Sequence, residues 1–374
     1  MFDVLYIPYR DVYFWNDFGS AVRDLQFLEI LNEIGEIDKI TILNRPVSLY
    51  ERLYNKNKPA NRYPGNDVLD YTKYDIFGPL KKRKWTEYCY QKYVIKFIED
   101  FIKDPSRQEK KLLIIDFTPI AKIPVVTNSR LFYWYDMIDN FAKHNCYSLD
   151  EIALVKEKYQ HVANNYDFIT AVSDAAAKEI KSAKGVENYV ITNGVFNTRF
   201  KPDNFAKDEN QDSRTYDLGF TGFVTDKFDV NFVSKLAQSY SIVIYGEVYN
   251  ELTAKKLTQA GITLKGKFRY VDLPNILKTF KVGLLPYLAE KSHDGSPLKM
   301  YEYLKFNKPC LTSIDYEYAS NYVYNYNDKI FTNKIVDDFI YCSGDERISS
   351  LLPEHAYLGM KIKSFFHTMI MVKD

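Results

Sequence analysis

Short apolar segments alternate with segments of helical periodicity along this chain, and the alternation occurs twice. Residues 3–8 form an apolar segment, residues 21–34 follow with a helical pattern, and residues 40–43 form the next apolar segment. This strand–helix–strand order is typical of a parallel sheet whose crossover helices cover its faces. The same order begins again at residues 217–222. The sequence therefore predicts an α/β protein with two parallel sheets.

Length and one polar segment indicate two domains. The chain has 374 residues, which is too many for one typical hydrophobic core and suits two. Residues 203–215 are rich in Asp, Asn, Lys and Ser, a composition typical of a linker. We therefore expect the first domain to end near residue 202.

Charge and cysteine spacing argue against several classes of protein. The formal net charge is +1, so nothing indicates a general attraction to nucleic acid. Cys89, Cys146, Cys310 and Cys342 stand far apart without a CxxC pair, so we expect reduced thiols in a cytoplasmic protein. No apolar run reaches the length of about 18 residues that a transmembrane helix needs, and the N-terminus lacks the basic region of a signal peptide.

A loop of small residues follows an apolar strand in the second half of the chain. Residues 282–287 predict a short buried strand, and Gly295 and Ser296 belong to the loop after it. Pro297 suits the first turn of a helix, because a backbone N–H at that position has no hydrogen-bond partner within the helix and proline lacks this N–H. Such a helix start offers free N–H groups and the positive end of the helix dipole, which favour phosphate.

The helix predicted after this loop has one apolar and one charged face. Leu298, Tyr301 and Leu304 recur at helical spacing and predict a face packed on a core. Lys299 and Glu302 are three residues apart and lie together on the other face. Lys299 adds positive charge for a phosphate, and Glu302 can accept hydrogen bonds from sugar hydroxyls. The alternative is an ordinary helix with a solvated charged face.

In the first half, small and charged residues stand between the first strand and its helix. Gly19 and Ser20 precede the helical pattern, and Arg23 lies within its first turn. Ligands of parallel α/β sheets bind beyond the carboxyl ends of the strands. These three residues are therefore candidates for contacting a ligand or its phosphate. The alternative is a helix cap followed by a solvated arginine.

Two carboxylates follow the strand predicted at residues 131–135. Asp136 and Asp139 are three residues apart and can occupy the same side of a crevice at the strand end. One of them can orient or deprotonate an acceptor hydroxyl, a role that we assign to Asp139 with Asp136 in support. The alternative is that either carboxylate caps a helix.

These segments resemble GT-B glycosyltransferases, and family 4 in particular. That family has an acidic residue, seven further residues and then Glu at its donor site, which Asp294 and Glu302 match, with Asp where many members have Glu. Residues 135–141 resemble a Tyr-Asp-x-x-Asp sequence of many bacterial members. Residues 192–202 resemble the Asn-Gly-Val turn that leads to their second domain. The resemblance implies the GT-B fold, two Rossmann-like domains with parallel sheets facing a central cleft.

The same resemblance implies a different binding role for each domain. Residues 1–202, with a C-terminal crossover helix at about residues 354–374, would bind the acceptor. Residues 203–353 would bind a nucleotide-diphosphate sugar, expected to be UDP-linked. The acceptor would be a glycan or a lipid-linked oligosaccharide of bacterial surface polysaccharide synthesis. Retention at the anomeric carbon is implied, although the departures from the motif leave inversion open.

Further donor contacts follow from the resemblance. A glycine at Gly222 would let the diphosphate approach the backbone, and Lys227 is the nearest basic residue after it, where the family often has an arginine and a lysine. Asp294 would contact the transferred sugar and Glu302 the ribose. The expected donor residues are Gly222, Lys227, Gly246, Phe268, Arg269, Tyr270, Asp294, Gly295, Ser296, Pro297, Leu298, Lys299 and Glu302.

The absence of an Asp-x-Asp motif from the chain leads us to expect neither a metal nor another cofactor. Lys299 and the helix dipole would then stabilise the leaving diphosphate. The basic run at residues 81–84 is a candidate for peripheral contact with the inner face of a membrane, the alternative being a solvated run.

Two other functions stay open at this point. One is a nucleotide-sugar 2-epimerase of the same fold, for which His293 beside Asp294 would supply a catalytic group. The other is a non-catalytic subunit that binds a sugar nucleotide.

Overall fold

The chain divides into two compact units in a computed structural model. Unit 1 comprises Met1–Thr192 and Ile362–Asp374, and unit 2 comprises Asn193–Lys361. The sequence analysis placed the first boundary near residue 202 and the second near residue 354. The structure describes residues 1–18, 22–54, 62–73, 78–143, 147–181, 188–195, 215–268, 272–291, 298–316, 318 and 320–371.

Unit 1 is built on a parallel sheet. Its strands are β1 Phe2–Ile7, β2 Ile37–Leu43, β3 Val47–Ser48, β4 Arg62–Tyr63, β5 Asn66–Leu69, β6 Thr72–Lys73, β7 Lys111–Asp116, β8 Leu131–Met137, β9 Phe168–Ala171 and β10 Asn188–Val190. Its helices are α1 Val12–Phe18, α2 Arg23–Leu31, α3 Leu49–Tyr54, α4 Gly78–Lys103, α5 Leu149–Asn165 and α6 Asp174–Ala177. Within the described residues, the main sheet has the order β10-β9-β8-β7-β1-β2-β5-β4, and every neighbouring pair but β4–β5 is parallel.

The central strands of unit 1 end level with one another. All six residues of β1 are buried, as expected for a parallel sheet covered on both faces. Ile7 pairs with Asp116 of β7, and Asp116 pairs with Tyr135 of β8. The loops that follow these three strands therefore meet at one carboxyl edge of the sheet.

Unit 2 repeats the architecture with a smaller sheet. Its strands are β11 Tyr216–Thr221, β12 Ile242–Tyr245, β13 Thr263–Gly266, β14 Phe280–Leu285, β15 Cys310–Thr312 and β16 Val323–Asn325. Its helices are α7 Val230–Leu236, α8 Glu251–Gln259, α9 Leu273–Leu277, α10 Leu298–Lys305, α11 Asn333–Cys342 and α12 Arg347–Ser350. The strands have the order β13-β12-β11-β14-β15-β16 and pair in parallel. The expected α/β fold with two parallel sheets is confirmed.

Tyr303 fixes α10 on the sheet of unit 2. Its ring occupies the space that a side chain on Gly283 of β14 would need, because a Cβ built there would lie 2.1 Å from Tyr303 Cδ2. The Tyr303 hydroxyl accepts the backbone N–H of Thr221, the last residue of β11, at 3.0 Å. Helix α10 is therefore held at a defined height against the end of β11.

The C-terminal segment forms helix α13 Leu358–Phe365 and a π-helical turn over Phe366–Ile370. The Phe365 ring lies 4.9 Å from the ring of Trp134, and the Phe366 ring lies 5.7 Å from that of Phe2. These contacts pack the end of the chain on the sheet of unit 1.

Membrane contact was expected at the basic run of residues 81–84. This run lies in α4, and its side chains are outside the described part of the structure. No helix among the described residues is long and apolar enough to cross a membrane.

Candidate active site

Two glycine turns meet at the carboxyl edge of the sheet in unit 2. The Gly222 N–H donates to the Tyr245 carbonyl at 2.7 Å, and the Gly246 N–H donates to the Gly266 carbonyl at 2.7 Å. Gly222 and Gly246 have φ values of 130° and 141°, which side chains rarely permit. A Cβ on Gly246 would lie 1.9 Å from the carbonyl oxygen of Gly222. The two turns therefore pack too closely for a side chain at either glycine to fit without displacing its neighbours.

The side chain of Lys299 lies against the turn at Gly222. A Cβ built on Gly222 would lie 2.4 Å from Lys299 Cε and 3.0 Å from Nζ. The ammonium lies 5.7 Å from the centre of the Phe220 ring and 5.8 Å from that of Tyr287. Burial is the largest effect and lowers the pKa of Lys299, but the interaction and hydrogen bond with Tyr287 and the charge of Glu302 leave the pKa raised. The ammonium is therefore charged at neutral pH and lies against the glycine turn.

The loop that contains Lys227 is tied to the segment after β14. The Lys227 carbonyl accepts the N–H of Leu288 at 2.7 Å, and the Lys227 N–H donates to Thr225 Oγ1 at 3.3 Å. Tyr287, which contacts Lys299, immediately precedes Leu288. The structure thus brings the loop of Lys227 next to the residue that faces Lys299.

The other predicted donor residues divide into described and undescribed ones. Leu298 begins α10, Glu302 lies one turn after Lys299, and Phe268 follows β13; all three side chains are half-buried. Six predicted residues lie outside the described residues, namely Arg269, Tyr270, Asp294, Gly295, Ser296 and Pro297.

Two aromatic side chains beside the glycine turns were missed by the sequence analysis. Phe223 is 41% exposed and Tyr249 is 60% exposed, and their rings stack at 5.4 Å with an interplanar angle of 14°. The Tyr249 N–H donates to the Val224 carbonyl at 3.2 Å, which holds the loops after β11 and β12 side by side. The available signal was an aromatic residue directly after Gly222, the glycine that follows β11.

In unit 1, Arg23 and Asp136 form a buried ion pair. Arg23 Nε and Nη2 donate to the two carboxylate oxygens of Asp136 at 2.8 and 3.0 Å. The Thr170 hydroxyl also donates to Asp136, at 2.6 Å, and accepts the indole N–H of Trp134 at 2.8 Å. Asp136 is fully buried and Arg23 is 6% exposed. Two residues predicted for separate roles are therefore partners, and the pair joins the start of α2 to β8.

Asp139 lies beyond the end of β8 and is half-buried. Its Oδ1 accepts the N–H of Asn140 at 2.8 Å, and its carbonyl accepts the N–H of Phe141 at 3.0 Å. These bonds begin the short 3₁₀ turn Phe141–Lys143. Asp139 thus combines a capping contact with a carboxylate at the carboxyl edge. The acceptor candidates Gly19 and Ser20 lie outside the described residues.

Asp24 is a buried carboxyl that the sequence analysis did not single out. Its oxygens accept the backbone N–H groups of Arg10 at 2.8 Å and of Leu25 at 3.0 Å. Burial, the largest cause, raises the pKa of Asp24 to about 6, although the hydrogen bonds and the charge of Arg10 lower it. This carboxyl links α2 to the loop after β1.

Asp116, at the end of β7, is also buried and paired. It accepts hydrogen bonds from the ammonium of Lys158, from the Tyr166 hydroxyl at 2.7 Å and from the backbone and hydroxyl of Thr118 at 2.8 and 2.7 Å. Lys158 is fully buried as well. Its ammonium also donates to the Ala121 carbonyl at 2.6 Å. The buried charges of Asp116 and Lys158 are therefore both paired and hydrogen-bonded.

A cavity of about 360 Å³ in unit 1 lies away from these residues. Its lining includes Ile37 and Lys39, at the amino end of β2. The candidate residues above lie at the carboxyl edges instead, where parallel sheets bind their ligands.

Comparison with protein-family models and with curated protein sequences gave no match. Comparison with solved structures gave AviGT4, a glycosyltransferase involved in avilamycin A biosynthesis, at 11% identity and a TM-score of 0.52. That likeness covers 100% of this chain and 97% of the other. The chain has the GT-B fold. Sucrose-phosphate synthase from Thermosynechococcus elongatus shares this fold at 12% identity and a TM-score of 0.53, over 99% of this chain and 94% of the other.

The expectation that no metal takes part is wrong as an inference from the missing Asp-x-Asp motif. A further structure with similarity to this chain, at 10% identity and a TM-score of 0.46, is T4 phage BGT, which was solved in complex with UDP and Mn²⁺. Among the residues described here, no group of three or more His, Cys, Asp or Glu side chains is placed to hold a metal ion. The missing motif therefore does not decide whether this chain uses a metal.

Proposed function

We propose that this chain is a glycosyltransferase that takes a sugar from a UDP-linked donor and transfers it to a glycan or lipid-linked acceptor. The observation that carries the proposal is the charged Lys299 ammonium against the glycine turn at Gly222. A positive charge beside a glycine turn, at the carboxyl edge of a parallel sheet, is a binding arrangement for a diphosphate. The GT-B fold supports the same conclusion, because the AviGT4 structure described above is that of a glycosyltransferase.

On the donor side, the diphosphate would lie against Gly222 and the Lys299 ammonium, because a side chain on Gly222 would displace that lysine. Lys299 would neutralise the negative charge that develops on the diphosphate as the bond to the sugar breaks. Glu302, one turn along α10, would accept hydrogen bonds from the ribose. Tyr287 holds the ammonium in place through its hydrogen bond, so Lys299 is oriented before the donor arrives.

On the acceptor side, Asp139 would orient or deprotonate the hydroxyl that receives the sugar. Its half-buried carboxylate suits this role better than the fully buried Asp136. We assign Asp136 a positioning role, since both of its oxygens bind Arg23. Arg23 would then fix the start of α2 for the acceptor, and the other two acceptor candidates, Gly19 and Ser20, lie outside the described residues.

The test compares two lysine variants of unit 2. Lys299→Gln removes the proposed diphosphate contact, whereas Lys255→Gln removes the same charge from an exposed position on α8. Loss of a hydrogen bond to a charged group corresponds to about 1.5–3 kcal/mol. Calorimetry should therefore show UDP affinity reduced by roughly tenfold or more in Lys299→Gln, with slower turnover of UDP-sugars. Lys255→Gln should behave as the wild type. Unchanged UDP binding and turnover in a normally folded Lys299→Gln protein would place the donor site elsewhere.

Product analysis separates the two other functions. Incubation of a UDP-sugar without an acceptor gives an epimer from a 2-epimerase and slow hydrolysis from a transferase. A non-catalytic subunit binds the nucleotide and turns over nothing. His293, on which the epimerase alternative depends, lies outside the described residues.

A further inference from the structure

The side chain of Arg10 is held between two aromatic rings at the carboxyl end of β1. Its guanidinium carbon lies 4.8 Å from the centre of the Tyr9 ring and 4.8 Å from that of Phe14. A guanidinium over an aromatic face is attracted to the ring while its N–H groups point outward along its edge. Arg10 is nevertheless exposed to solvent. The rings therefore orient the guanidinium and leave its N–H groups able to donate to a ligand.

Two nearby arginines are paired with carboxylates, and Arg10 differs from them. Arg45 Nε lies 3.9 Å from Asp11, and Arg52 Nη2 donates to Asp70 at 2.9 Å. Within the described part of the chain, the guanidinium of Arg10 contacts the two rings and forms no ion pair with a carboxylate. Its charge is therefore available to a ligand.

Buried contacts fix the backbone around Arg10. The carboxylate of Asp24 accepts the Arg10 backbone N–H at 2.8 Å, and Asp24 is fully buried. On the other side, the Tyr9 ring lies 5.3 Å from the Phe141 ring. Phe141 donates its N–H to the carbonyl of Asp139. A short chain of packed residues thus connects Arg10 with the proposed acceptor base.

We propose that Arg10 binds an oxyanion, a phosphate or carboxylate, on the acceptor of the sugar. This inference rests on the proposed function, because it takes the carboxyl edge of unit 1 as the acceptor side. A planar guanidinium presents paired N–H donors that match two oxygens of such a group. The acceptor is therefore an anionic molecule whose charged group lies near the hydroxyl presented to Asp139. The oxyanion belongs either to a soluble or polymeric acceptor or to a lipid headgroup.

The experiment uses the full chain and three variants. Arg10→Gln removes the charge, Phe14→Leu removes one ring but keeps the charge, and Lys103→Gln removes a charge that is exposed at the end of α4. Soluble probes are glycerol 3-phosphate and glycerol, titrated by calorimetry. Membrane probes are vesicles of phosphatidylglycerol and of phosphatidylcholine, measured by co-sedimentation. Melting temperatures confirm that each variant folds.

The wild type should bind glycerol 3-phosphate but not glycerol, or phosphatidylglycerol vesicles but not phosphatidylcholine vesicles. The first pattern indicates a soluble or polymeric acceptor, and the second indicates a lipid headgroup. Arg10→Gln should weaken this binding by about ten- to a hundredfold, the scale of hydrogen bonds to a charged group. Phe14→Leu should weaken it by about two- to tenfold, the scale of a cation–π contact. Lys103→Gln should leave it unchanged.

Two results overturn the inference. One is a wild type that binds neither anionic probe, and the other is a folded Arg10→Gln variant that binds them as the wild type does. UDP affinity, measured on the same samples, reports separately on the proposed function because its site lies in unit 2. Normal UDP binding without an effect of Arg10 refutes the anionic acceptor alone, whereas absent UDP binding refutes the proposed donor.

Discussion

Replacing Gly222 by alanine should separate backbone strain from displacement of Lys299. The new methyl group would lie 2.4 Å from Lys299 Cε and 3.0 Å from Nζ, so the lysine side chain must move away. The φ of 130° would also be strained with alanine, at a cost of about 1–3 kcal/mol in stability. Loss of the ammonium from its place should reduce UDP affinity by roughly tenfold or more, since a hydrogen bond to a charged group contributes about 1.5–3 kcal/mol.

Two matched variants divide these effects. Gly261 has a φ of 84°, and no atom lies within 4 Å of the position that a Cβ would take there, so Gly261→Ala measures the cost of positive φ without a clash. Gly222→Ala in a Lys299→Ala background keeps the strain but has no lysine side chain to displace. Denaturant unfolding gives the change in stability, and calorimetry gives the change in UDP affinity.

Gly222→Ala should lose at least as much stability as Gly261→Ala, and only Gly222→Ala should lose UDP affinity. In the Lys299→Ala background, Gly222→Ala should add little further loss of affinity. A Gly222→Ala protein that binds UDP as tightly as Gly261→Ala would refute the assignment of this turn to the diphosphate.

Three further predictions concern buried or capping charges of unit 1. Burial raises the pKa of Asp24 from 3.8 to about 6, so between about pH 4 and 6 the folded state keeps a proton that the unfolded state has lost. The protonated Asp24 carboxyl therefore stabilises the fold fully below about pH 4, and this stabilisation is lost as the pH rises through about 6. In thermal melts across this range, the melting temperature should depend less on pH in Asp24→Asn than in the wild type. Asp139→Asn keeps the cap but removes the base, so transfer, or donor hydrolysis in its place, should fall by about 10²–10⁴-fold at an unchanged melting temperature; normal transfer by this variant would contradict the assignment. Lys158→Met leaves Asp116 buried without its cation and should destabilise the fold by about 3–5 kcal/mol in denaturant unfolding, while the Lys158→Met, Asp116→Asn double variant should recover part of the loss.

The strands were predictable where an apolar run is long and buried on both faces. β1 and β7 are such runs: the pattern predicts strands over residues 3–8 and 112–116, and the observed Phe2–Ile7 and Lys111–Asp116 differ by one residue at each end of β1 and at the start of β7. The pattern also predicts a helix over residues 275–280, whereas α9 spans Leu273–Leu277 and β14 begins at Phe280. The Phe280 ring lies where a side chain on Gly219 would be. This cross-strand contact cannot be read from local periodicity.

The short strands between residues 51 and 110 were not predictable. β4, β5 and β6 have two to four residues each, which is too few to show alternation between a buried and an exposed face. Their pairing depends on residues elsewhere in the chain, such as Thr41 of β2 opposite Asp67 of β5.

The central residues of the proposed donor site were more predictable than their surroundings. A glycine at a strand end and a lysine in the first turn of a helix have local sequence signals, and Gly222 and Lys299 do lie in contact distance of each other. Tyr287 was missed because its contact with Lys299 depends on how the segment after β14 packs against helix α10. The stacked pair of Phe223 and Tyr249 was missed for the same reason, since the rings belong to different strand–helix connections.

Three acidic residues at the carboxyl edge of unit 1 show why sequence position alone does not identify a catalytic group. Asp116, Asp136 and Asp139 all lie at or beyond the ends of neighbouring strands. Asp116 is neutralised by Lys158, 42 residues away, and Asp136 by Arg23, 113 residues away. Both are fully buried, and removing either cation would leave a charge without compensation. These two pairs hold the loops of the edge in place. Asp139 is half-buried and its carboxylate accepts the N–H of the adjacent Asn140, which makes it the carboxylate suited to meet an acceptor hydroxyl.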